Sequence, residues 1–412
     1  MKYALLCGKL FTPFDDAVRT GMMVLVDGDT ITAVQPGTDV PAGYECIDLS
    51  DSFVMPGLID GHVHLTSRGD EPQGEGAYVL PGELTLRAMK NARSDLMAGF
   101  TTVRDCGAEE YINHSIRDAE VRGDIEAPRV VSCGRCITTT GGHADRHYSP
   151  YMESHVQAAM PADGPMAVRQ AARLNLKHGA DFLKAMVTGG VIYKGPIVDT
   201  QYMADDELAA LVEVAKLYGV HTAVHAHGTA GLKAAARAGV TSVEHATMMD
   251  DEAVDLFCEK GVYHTPTLLA NHRILTEGPE NGLVAWMIEK AKAMCEWQEW
   301  SVREGLKRGV RFAFGTDAGT PYNFHGRQAE EFVQLARYGF TPRQMLTAAT
   351  HNNAALLGME TRLGEVKAGY LADICAFDKD AMENANALLN CRFVMKGGVV
   401  YKKQAPSVGT NA

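Results

Sequence analysis

The most constraining feature of this sequence is a unit that repeats from residue 57 onward. Each copy consists of a helical pattern, a glycine and a short apolar strand rich in β-branched residues. Glycine readily adopts the left-handed backbone that ends a helix, so each copy predicts one helix followed by one strand. Strands that alternate with helices form parallel sheets covered by those helices. The pattern therefore predicts an α/β fold.

Eight strands can be counted in this part of the chain, at 58–60, 101–104, 129–132, 182–186, 221–225, 242–244, 262–265 and 311–315. The helical patterns around them fall at 81–98, 166–178, 204–218, 229–238, 250–260, 283–308 and 341–357. Eight such units fit a (β/α)8 TIM-like barrel. A doubly wound open sheet is the alternative, but the first strand is not followed by the glycine-rich turn typical of that fold.

The two ends of the chain have a different sequence pattern, that of short strands without long helices. Residues 1–56 carry short alternating segments, and Asp27-Gly28-Asp29 is a hairpin signal between two of them. Residues 364–401 again show the pattern of short strands. We therefore expect residues 1–56 and 361–412 to build one small β-sandwich domain together, and residues 57–360 to form the barrel.

Composition limits the possible partners. The 412 residues carry a formal net charge of −12, which argues against nucleic acid and against a basic face that docks on membranes. No apolar run approaches the roughly 20 residues that span a bilayer. The nine cysteines are scattered and odd in number, so we expect them to be reduced and the protein to be cytoplasmic.

Metal-ligating side chains recur where the predicted strands end. In a barrel, the functional face lies at the carboxyl ends of the strands. Histidines two residues apart on a strand point to the same side and can hold one metal ion, and imidazole suits zinc. Five predicted strands contribute candidates of this kind, which predicts a single metal site formed by His62, His64, Lys184, His225, His245 and Asp317.

Each candidate also has a structural explanation. Lys184 lies within an apolar strand, where it could be ion-paired or reach solvent. An uncharged lysine can instead react with carbon dioxide to give an anionic carbamate ligand, and the surrounding histidines and aspartate favour that interpretation. His245 could be a core histidine, and Asp317 could cap a helix.

Three further residues are candidates for contacting the substrate. His227 follows His225 by two residues and is interpreted as a pocket residue that touches the substrate rather than as a ligand. His143, in the loop after the third barrel strand, could polarise a substrate carbonyl, and Tyr193 follows Thr188-Gly-Gly190 in a comparable position. For His143 and Tyr193, simple exposure in a loop is an equally good explanation.

With these residues identified, the chain resembles the amidohydrolase superfamily over nearly its whole length. Within that superfamily it is most similar to prolidase-like and Xaa-Arg-dipeptidase-like enzymes, which lie near the imidazolonepropionases and the ochratoxin-hydrolysing amidases. The resemblance rests on the segments PGLIDGHVH (56–64), GFTTVRD (99–105), KAMVTGG (184–190), HAHG (225–228), EHA (244–246) and GTD (315–317). The spacing of Gly364, Gly369 and Asp373 is also similar.

The resemblance implies a binuclear zinc site. His62, His64 and Asp317 would hold the more buried ion, and His225 and His245 the more exposed one. A carboxylated Lys184 and a hydroxide would bridge the two ions. Asp317 would be the catalytic proton carrier, and His143 would assist at the substrate carbonyl. The family also implies homo-oligomers, with octamers among them.

The implied reaction is hydrolysis of the amide bond of a small molecule, either a dipeptide (Xaa-Pro or Xaa-Arg/Lys) or an N-acyl amino acid. A cyclic-amide hydrolase of the imidazolonepropionase kind, or a deaminase, is the alternative on the same barrel. HAHGTA (225–230) lacks the glutamate that is typical of the deaminases. A non-enzymatic scaffold is a third hypothesis, which the complete ligand set disfavours. We expect the loops 67–79 and 136–161 to select the substrate, with charges at Glu71, Glu75, Asp145, Arg146 and Arg273.

Overall fold

The structure is a computed structural model that describes residues 1–71, 78–145, 157–194 and 197–405. The strands are β1 (Lys2–Leu10), β2 (Arg19–Asp27), β3 (Thr30–Pro36), β4 (Glu45–Pro56), β5 (Leu58–Val63), β6 (Phe100–Asp105), β7 (Arg129–Ser132), β8 (Cys136–Thr138), β9 (Ala159–Pro161), β10 (Phe182–Met186), β11 (His221–Ala226), β12 (Ser242–His245), β13 (Tyr263–Thr265), β14 (Arg311–Phe312), β15 (Ile374–Phe377), β16 (Cys391–Lys396) and β17 (Val399–Lys403).

The helices are α1 (Pro81–Met97), α2 (Ile112–Arg122), α3 (Pro165–Lys177), α4 (Asp205–Tyr218), α5 (Thr229–Ala238), α6 (Asp251–Lys260), α7 (Leu268–Thr276), α8 (Ala285–Arg308), α9 (Glu330–Arg337), α10 (Pro342–Thr347) and α11 (Asn353–Leu356). A π-helical segment, Ala348–Asn352, joins α10 to α11. Short 3-10 turns lie at Glu109–Tyr111 and Ala385–Leu389. None of the helices in the described residues combines the length and the apolar character needed to cross a bilayer.

Both chain ends build one sheet, as the sequence predicts. Its strand order is β17-β16-β15-β4-β1-β2-β3, and the pairs are antiparallel except for β1 with β4. The expected hairpin joins β2 to β3, with Gly28 in the left-handed region at φ 64°. One face buries an apolar core that includes Leu5, Val24 and Phe393. The boundaries at residues 56/57 and 360/361 remain a prediction.

All eight predicted barrel strands are present, as β5, β6, β7 and β10 through β14. Their pairing is parallel, and β8 and β9 add two short strands between β7 and β10. The cylinder closes where the Gly61 amide donates to the Phe314 carbonyl (2.9 Å) and the Asp317 amide donates to the His62 carbonyl (2.8 Å). The helices cover the outside and form the largest apolar core of the described residues with the strands. The (β/α)8 prediction is thereby confirmed.

The predicted helices are present within one or two residues of their expected ends, and the glycines that follow α4, α5, α6 and α8 adopt positive φ. The sequence analysis missed α2, α7 and α9. Helix α7 begins after Thr267, which has a left-handed backbone (φ 47°) and no side-chain cap of its own. Its first amides are instead bonded by Glu331, which lies 63 residues further along the chain than Leu268. Because a distant residue defines where α7 begins, the local sequence carries no capping signal for this helix.

Candidate metal centre

The six predicted ligands line one cavity at the carboxyl ends of the barrel strands. The cavity has an empty volume of about 680 Å³, which includes some open solvent. Parallel strands deliver their last residues to a common edge, so side chains far apart in sequence meet there. Within the described residues, two groups of side chains are close enough to hold a metal ion each: His62 with His64 and Asp317, and His225 with His227 and His245.

The first group converges on one carboxylate oxygen. The Nε2 atoms of His62 and His64 lie 3.4 Å and 3.3 Å from Oδ1 of Asp317. The opposite ring nitrogens are already occupied: Nδ1 of His62 contacts Glu244 at 2.9 Å, and Nδ1 of His64 contacts the Gly107 carbonyl at 3.1 Å. Both rings therefore present Nε2 to the cavity in the orientation that a metal requires.

Glu244 anchors His62 from a fully buried position. Its other oxygen accepts hydrogen bonds from Arg104 (2.7 Å) and from the Ser242 hydroxyl (2.6 Å). Burial raises the pKa of the Glu244 carboxyl, but the Arg104 charge and the His62 hydrogen bond lower it below its usual value overall. Glu244 is thus an anion that fixes the tautomer of His62. The sequence analysis recorded this residue only as part of a motif.

A second buried carboxylate, Asp60, ties the first strand to the loop that carries Asp317. It accepts hydrogen bonds from the amides of His62 (3.0 Å) and Thr316 (3.1 Å) and from the Thr316 hydroxyl (2.6 Å). Burial raises the pKa of Asp60 to about 7. These bonds hold His62 and Asp317 in register across the barrel closure.

The second group is also held by outer hydrogen bonds. Nδ1 of His227 contacts the Thr247 hydroxyl at 2.8 Å, and Nδ1 of His245 contacts the Thr267 hydroxyl at 2.6 Å. His225 is turned the other way, with Nε2 3.1 Å from the Gly189 carbonyl. Its Nδ1 is therefore the atom available to a ligand. The structure places His227 in this group as closely as the two predicted ligands.

Lys184 lines the same cavity as the two groups, and its amine has no partner among the described residues there. It is 1% exposed, and its Nζ has no hydrogen-bond partner among the residues that the structure describes. An orphaned amine in a buried site lined by imidazoles costs stability unless another group satisfies it. A carbamate on Nζ, shared by two metal ions, would satisfy it. The donor set therefore fits the pair of ions that the resemblance implies.

The imidazoles of the cavity are poised as neutral ligands. Burial lowers the pKa of His62 and His227 to about 4 and that of His143 to about 3. His64 is the exception, because the hydrogen bond and charge of Asp317 outweigh burial and raise its pKa. Metal ions bind the neutral form of imidazole, so these shifts favour coordination at neutral pH.

The Asp317 carboxyl is anionic for a related reason. Burial alone would raise its pKa, but the His62 and His64 imidazoles and the Lys184 charge lower it to about 2. Asp317 itself has a left-handed backbone, with φ 59°. The alternative interpretation of Asp317 as a helix cap is not supported in the described residues, because the next helix, α9, begins only at Glu330.

His143 lies in the cavity wall, stacked on His225 at 4.1 Å between ring centroids. Its Nδ1 is buried without a partner among the described residues. A Cβ at Gly190 would come within 2.1 Å of the His143 ring, so the glycine makes room for it. The ring of Tyr193 packs edge-on against His143 at 4.8 Å but does not line the cavity. A substrate contact of Tyr193 stays a prediction.

The remaining predicted charges are engaged in other contacts. Glu71 pairs with Arg87, and Arg273 pairs with Glu277 and Glu330. Asp145 accepts a hydrogen bond from the Gly141 amide at 2.8 Å. Glu75 and Arg146 lie outside the described residues. What the sequence analysis missed is an apolar part of the cavity wall, which α7, α8 and the segment after β10 provide.

Comparison with known proteins gives consistent results. The family model "Amidohydrolase family" matches residues 53–403. A solved structure of a Xaa-Pro dipeptidase with bound methionine is 34% identical, with a TM-score of 0.90, over 98% of this chain and 100% of that one. A prolidase complexed with N-methylphosphonate-L-proline is 26% identical, with a TM-score of 0.91 over the same shares. Ochratoxinase of Aspergillus niger is 29% identical over 99% of this chain and 88% of its own.

Proposed function

The chain belongs to the amidohydrolase family, and from that premise we propose that it is a binuclear zinc hydrolase that cleaves the amide bond of dipeptides or N-acyl amino acids. The observation that carries the proposal is the pairing of two ligand groups around an orphaned buried amine. A hydrophobic core would need neither the clustered histidines nor a buried amine without a partner in order to pack. The three relatives support amide hydrolysis as the reaction class, since they are named as a dipeptidase, a prolidase and an ochratoxinase.

His62, His64 and Asp317 would hold one ion, and His225 and His245 the other. Lys184, carboxylated on Nζ, would bridge them. Two zinc ions supply a water of lowered pKa and polarise a scissile carbonyl. The outer hydrogen bonds from Glu244, Thr267 and the backbone keep the rings oriented before any ion binds.

Asp317 is the proposed proton carrier. It is ionised at neutral pH, it lies within the cavity, and its carboxylate is positioned by the loop that Asp60 holds. An ionised carboxylate next to the reacting water can take its proton and then pass that proton to the leaving amine.

His143 is proposed to contact the carbonyl oxygen of the substrate. Its ring is neutral, so one ring nitrogen carries a proton that it can donate. A neutral donor aimed at a developing oxyanion stabilises it without competing with the carboxylate for the attacking water. His227 presents its Nε2 side to the same cavity and is the nearest candidate for a second substrate contact.

The substrate is proposed to be Xaa-Pro, Xaa-Arg or Xaa-Lys, or an N-acyl amino acid.

A cytoplasmic location is proposed because the nine cysteines are unpaired, as is typical of a reducing compartment. A homo-oligomer is proposed from the family resemblance alone.

The direct test is amino-acid release from a panel of these substrates by zinc-loaded protein supplied with bicarbonate. Chromatography of the products should show a free C-terminal amino acid, and bound zinc should reach two ions per chain. Two bound ions without release from any member would reject the proposal. Ring opening of a cyclic amide, or ammonia from nucleobases, would then identify the alternative reaction on this barrel.

A further inference from the structure

Part of the cavity wall is apolar. Val191 and Ile192, in the segment after β10, pack against Ile274 of α7 within the same cluster as residues of α8. Both segment residues and Ile274 also line the cavity, together with Met294 of α8. This wall is separate from the ligand groups. We call the four residues Val191, Ile192, Ile274 and Met294 the apolar wall.

The wall contains no carboxylate that could meet a cationic side chain. Among the described residues that line the cavity, the single acidic one is Asp317, which belongs to the metal ligands. The acidic residues near α7 are engaged elsewhere. Glu277 and Glu330 pair with Arg273, and Glu331 accepts hydrogen bonds from the first amides of α7.

A positive charge lies beside the wall. Nζ of Lys290 donates hydrogen bonds to the carbonyls of Gly190 (3.2 Å) and Tyr193 (2.8 Å), which flank Val191 and Ile192. This lysine therefore holds the segment in place. Its charge also adds to the effects that lower the pKa of His143 and His227, so it acts on the cavity electrostatically.

Asn271 and Gln298 are the amide side chains at the cavity. The Asn271 amide group contacts Gln298 at 3.4 Å and the Ala291 carbonyl at 3.3 Å. An amide oxygen can accept a hydrogen bond from an ammonium or guanidinium group, but it does not neutralise the charge. A cation seated here would lose hydration without gaining a counter-ion from the cavity lining that the structure describes.

We infer that the apolar wall receives the side chain of the C-terminal residue of the substrate, and that this side chain is an uncharged aliphatic or thioether group rather than that of arginine or lysine. The inference rests on the proposed amide hydrolysis and narrows its substrate class. Aliphatic groups gain free energy by leaving water for this surface. An unpaired cation on the same surface, close to Lys290, is penalised by lost hydration and by like charge.

N-acetyl-L-norleucine and N-acetyl-L-lysine provide the decisive pair. The two share an acyl group and a four-carbon side chain, and they differ by the terminal ammonium. We expect kcat/KM for the norleucine compound to exceed that for the lysine compound by on the order of 100-fold with zinc-loaded protein. N-acetyl-L-methionine should behave like norleucine, and N-acetyl-L-arginine like lysine. Equal or reversed values would overturn the inference while leaving amide hydrolysis established.

Binding measured by calorimetry separates this inference from the proposed function. If neither compound is hydrolysed although two zinc ions are bound, the proposed function fails, and the dissociation constants of the same pair still test the wall. Tighter binding of the norleucine compound supports the inference. Equal binding, tighter binding of the lysine compound, or no binding of either overturns it.

Ile192→Asp places a carboxylate in the wall at a half-buried position. We expect it to raise the ratio of lysine to norleucine turnover about tenfold or more, because it supplies the missing counter-ion. Leu283→Asp is the matched control. Leu283 belongs to the same cluster and is also half-buried, but it does not line the cavity, so its ratio should stay at the parent value. The ratio is internal to each variant and is unaffected by partial unfolding. An unchanged ratio in Ile192→Asp would contradict the assignment of the wall.

Discussion

In the sheet domain, the core consists of side chains such as Leu5, Val24 and Phe393, whereas the barrel mouth buries imidazoles, carboxylates and an amine. None of the 15 histidines of the chain lies in residues 1–56 or 361–412. Apolar burial stabilises a fold without further conditions, but a buried polar group stabilises it only when a partner satisfies it. The two regions therefore differ in what they contribute, one mainly stability and the other mainly chemistry.

The same difference is visible in single carboxylates. Asp373, in the sheet domain, pairs with Arg129 at 2.9 Å and accepts a hydrogen bond from the Gly397 amide at 2.8 Å. Asp317, at the mouth, contacts the side chains of His62 and His64 in the described part of the chain, and both histidines are themselves proposed metal ligands. The Asp373 carboxylate is thus satisfied by structural partners, whereas the Asp317 carboxylate contacts side chains that are proposed to bind metal with it.

The largest effect is expected when each of these aspartates is replaced by asparagine in a separate variant. Asp317→Asn should lower kcat on the order of 10³-fold, because the amide cannot accept the proton and is a weaker metal ligand. Asp373→Asn is the matched control and should lower the free energy of unfolding while kcat per folded molecule stays near the parent value. Steady-state kinetics and urea unfolding of both variants measure this. Retained turnover in Asp317→Asn would remove the proposed mechanism.

The next effect tests the sheet domain as a source of stability. Phe393→Ala removes a fully buried ring and should lower the free energy of unfolding by about 3–5 kcal/mol. The ring lies in the sheet-domain core rather than in the cavity, so kcat and bound zinc per folded molecule should not change. Urea unfolding combined with active-site titration gives both values. A parallel loss of kcat would show that the two regions are coupled.

The sequence predicted well which side chains meet at the barrel mouth, because their positions depend on local pattern. An apolar strand with a polar residue at its carboxyl end is visible within ten residues, and the barrel then brings such ends together. His62, His225 and His245 could therefore be assigned before their distances were known. Asp317 was found in the same way, although its left-handed backbone left no signal.

Features that depend on distant residues could not be predicted. Glu244, which orients His62, is itself held by a hydrogen bond from Arg104, 140 residues away in the sequence. Helix α7 begins where Glu331 accepts hydrogen bonds from its first amides. The apolar wall follows from α7 and α8 lying beside the segment after β10, and neither helix carries a motif for it. Sequence pattern thus located the polar side chains of the cavity, whereas the hydrogen bonds that orient them and the apolar wall beside them depend on packing between distant residues.

A further effect, spread over several histidines, is expected from pH in the metal-free protein. An unfolded histidine titrates near 6.5, whereas burial gives five histidines folded pKa values of about 3 or 4 (His62, His143, His221, His227 and His264). Below pH 6.5 the unfolded chain therefore binds protons that the folded chain does not, and stability falls as the pH falls toward 4. Each such histidine contributes up to about 1.4 kcal/mol per pH unit.

Urea unfolding of chelator-treated protein at pH 7, 6 and 5 measures this slope. His64 and His325, whose pKa values are raised, reduce this slope, whereas His225 and His245, whose pKa values burial also lowers, add to it. Since the sheet domain has no histidine, the slope should survive Phe393→Ala unchanged. A flat profile between pH 7 and pH 5 would show that the mouth does not hold neutral imidazoles.

The smallest expected effect concerns Lys184, and it reverses the usual sign of a core substitution. Lys184→Met retains an unbranched side chain about as long as the aliphatic part of lysine and removes an amine that has no partner among the described residues. The metal-free protein should gain about 1–3 kcal/mol in free energy of unfolding, because an unsatisfied polar group is replaced by an apolar one. The zinc-loaded protein should lose its second ion, measured by metal analysis, and with it the stability that zinc adds. A gain without metal and a loss with metal would establish that Lys184 is retained for its ligand. A loss in both states would instead make it a structural residue like those of the sheet domain.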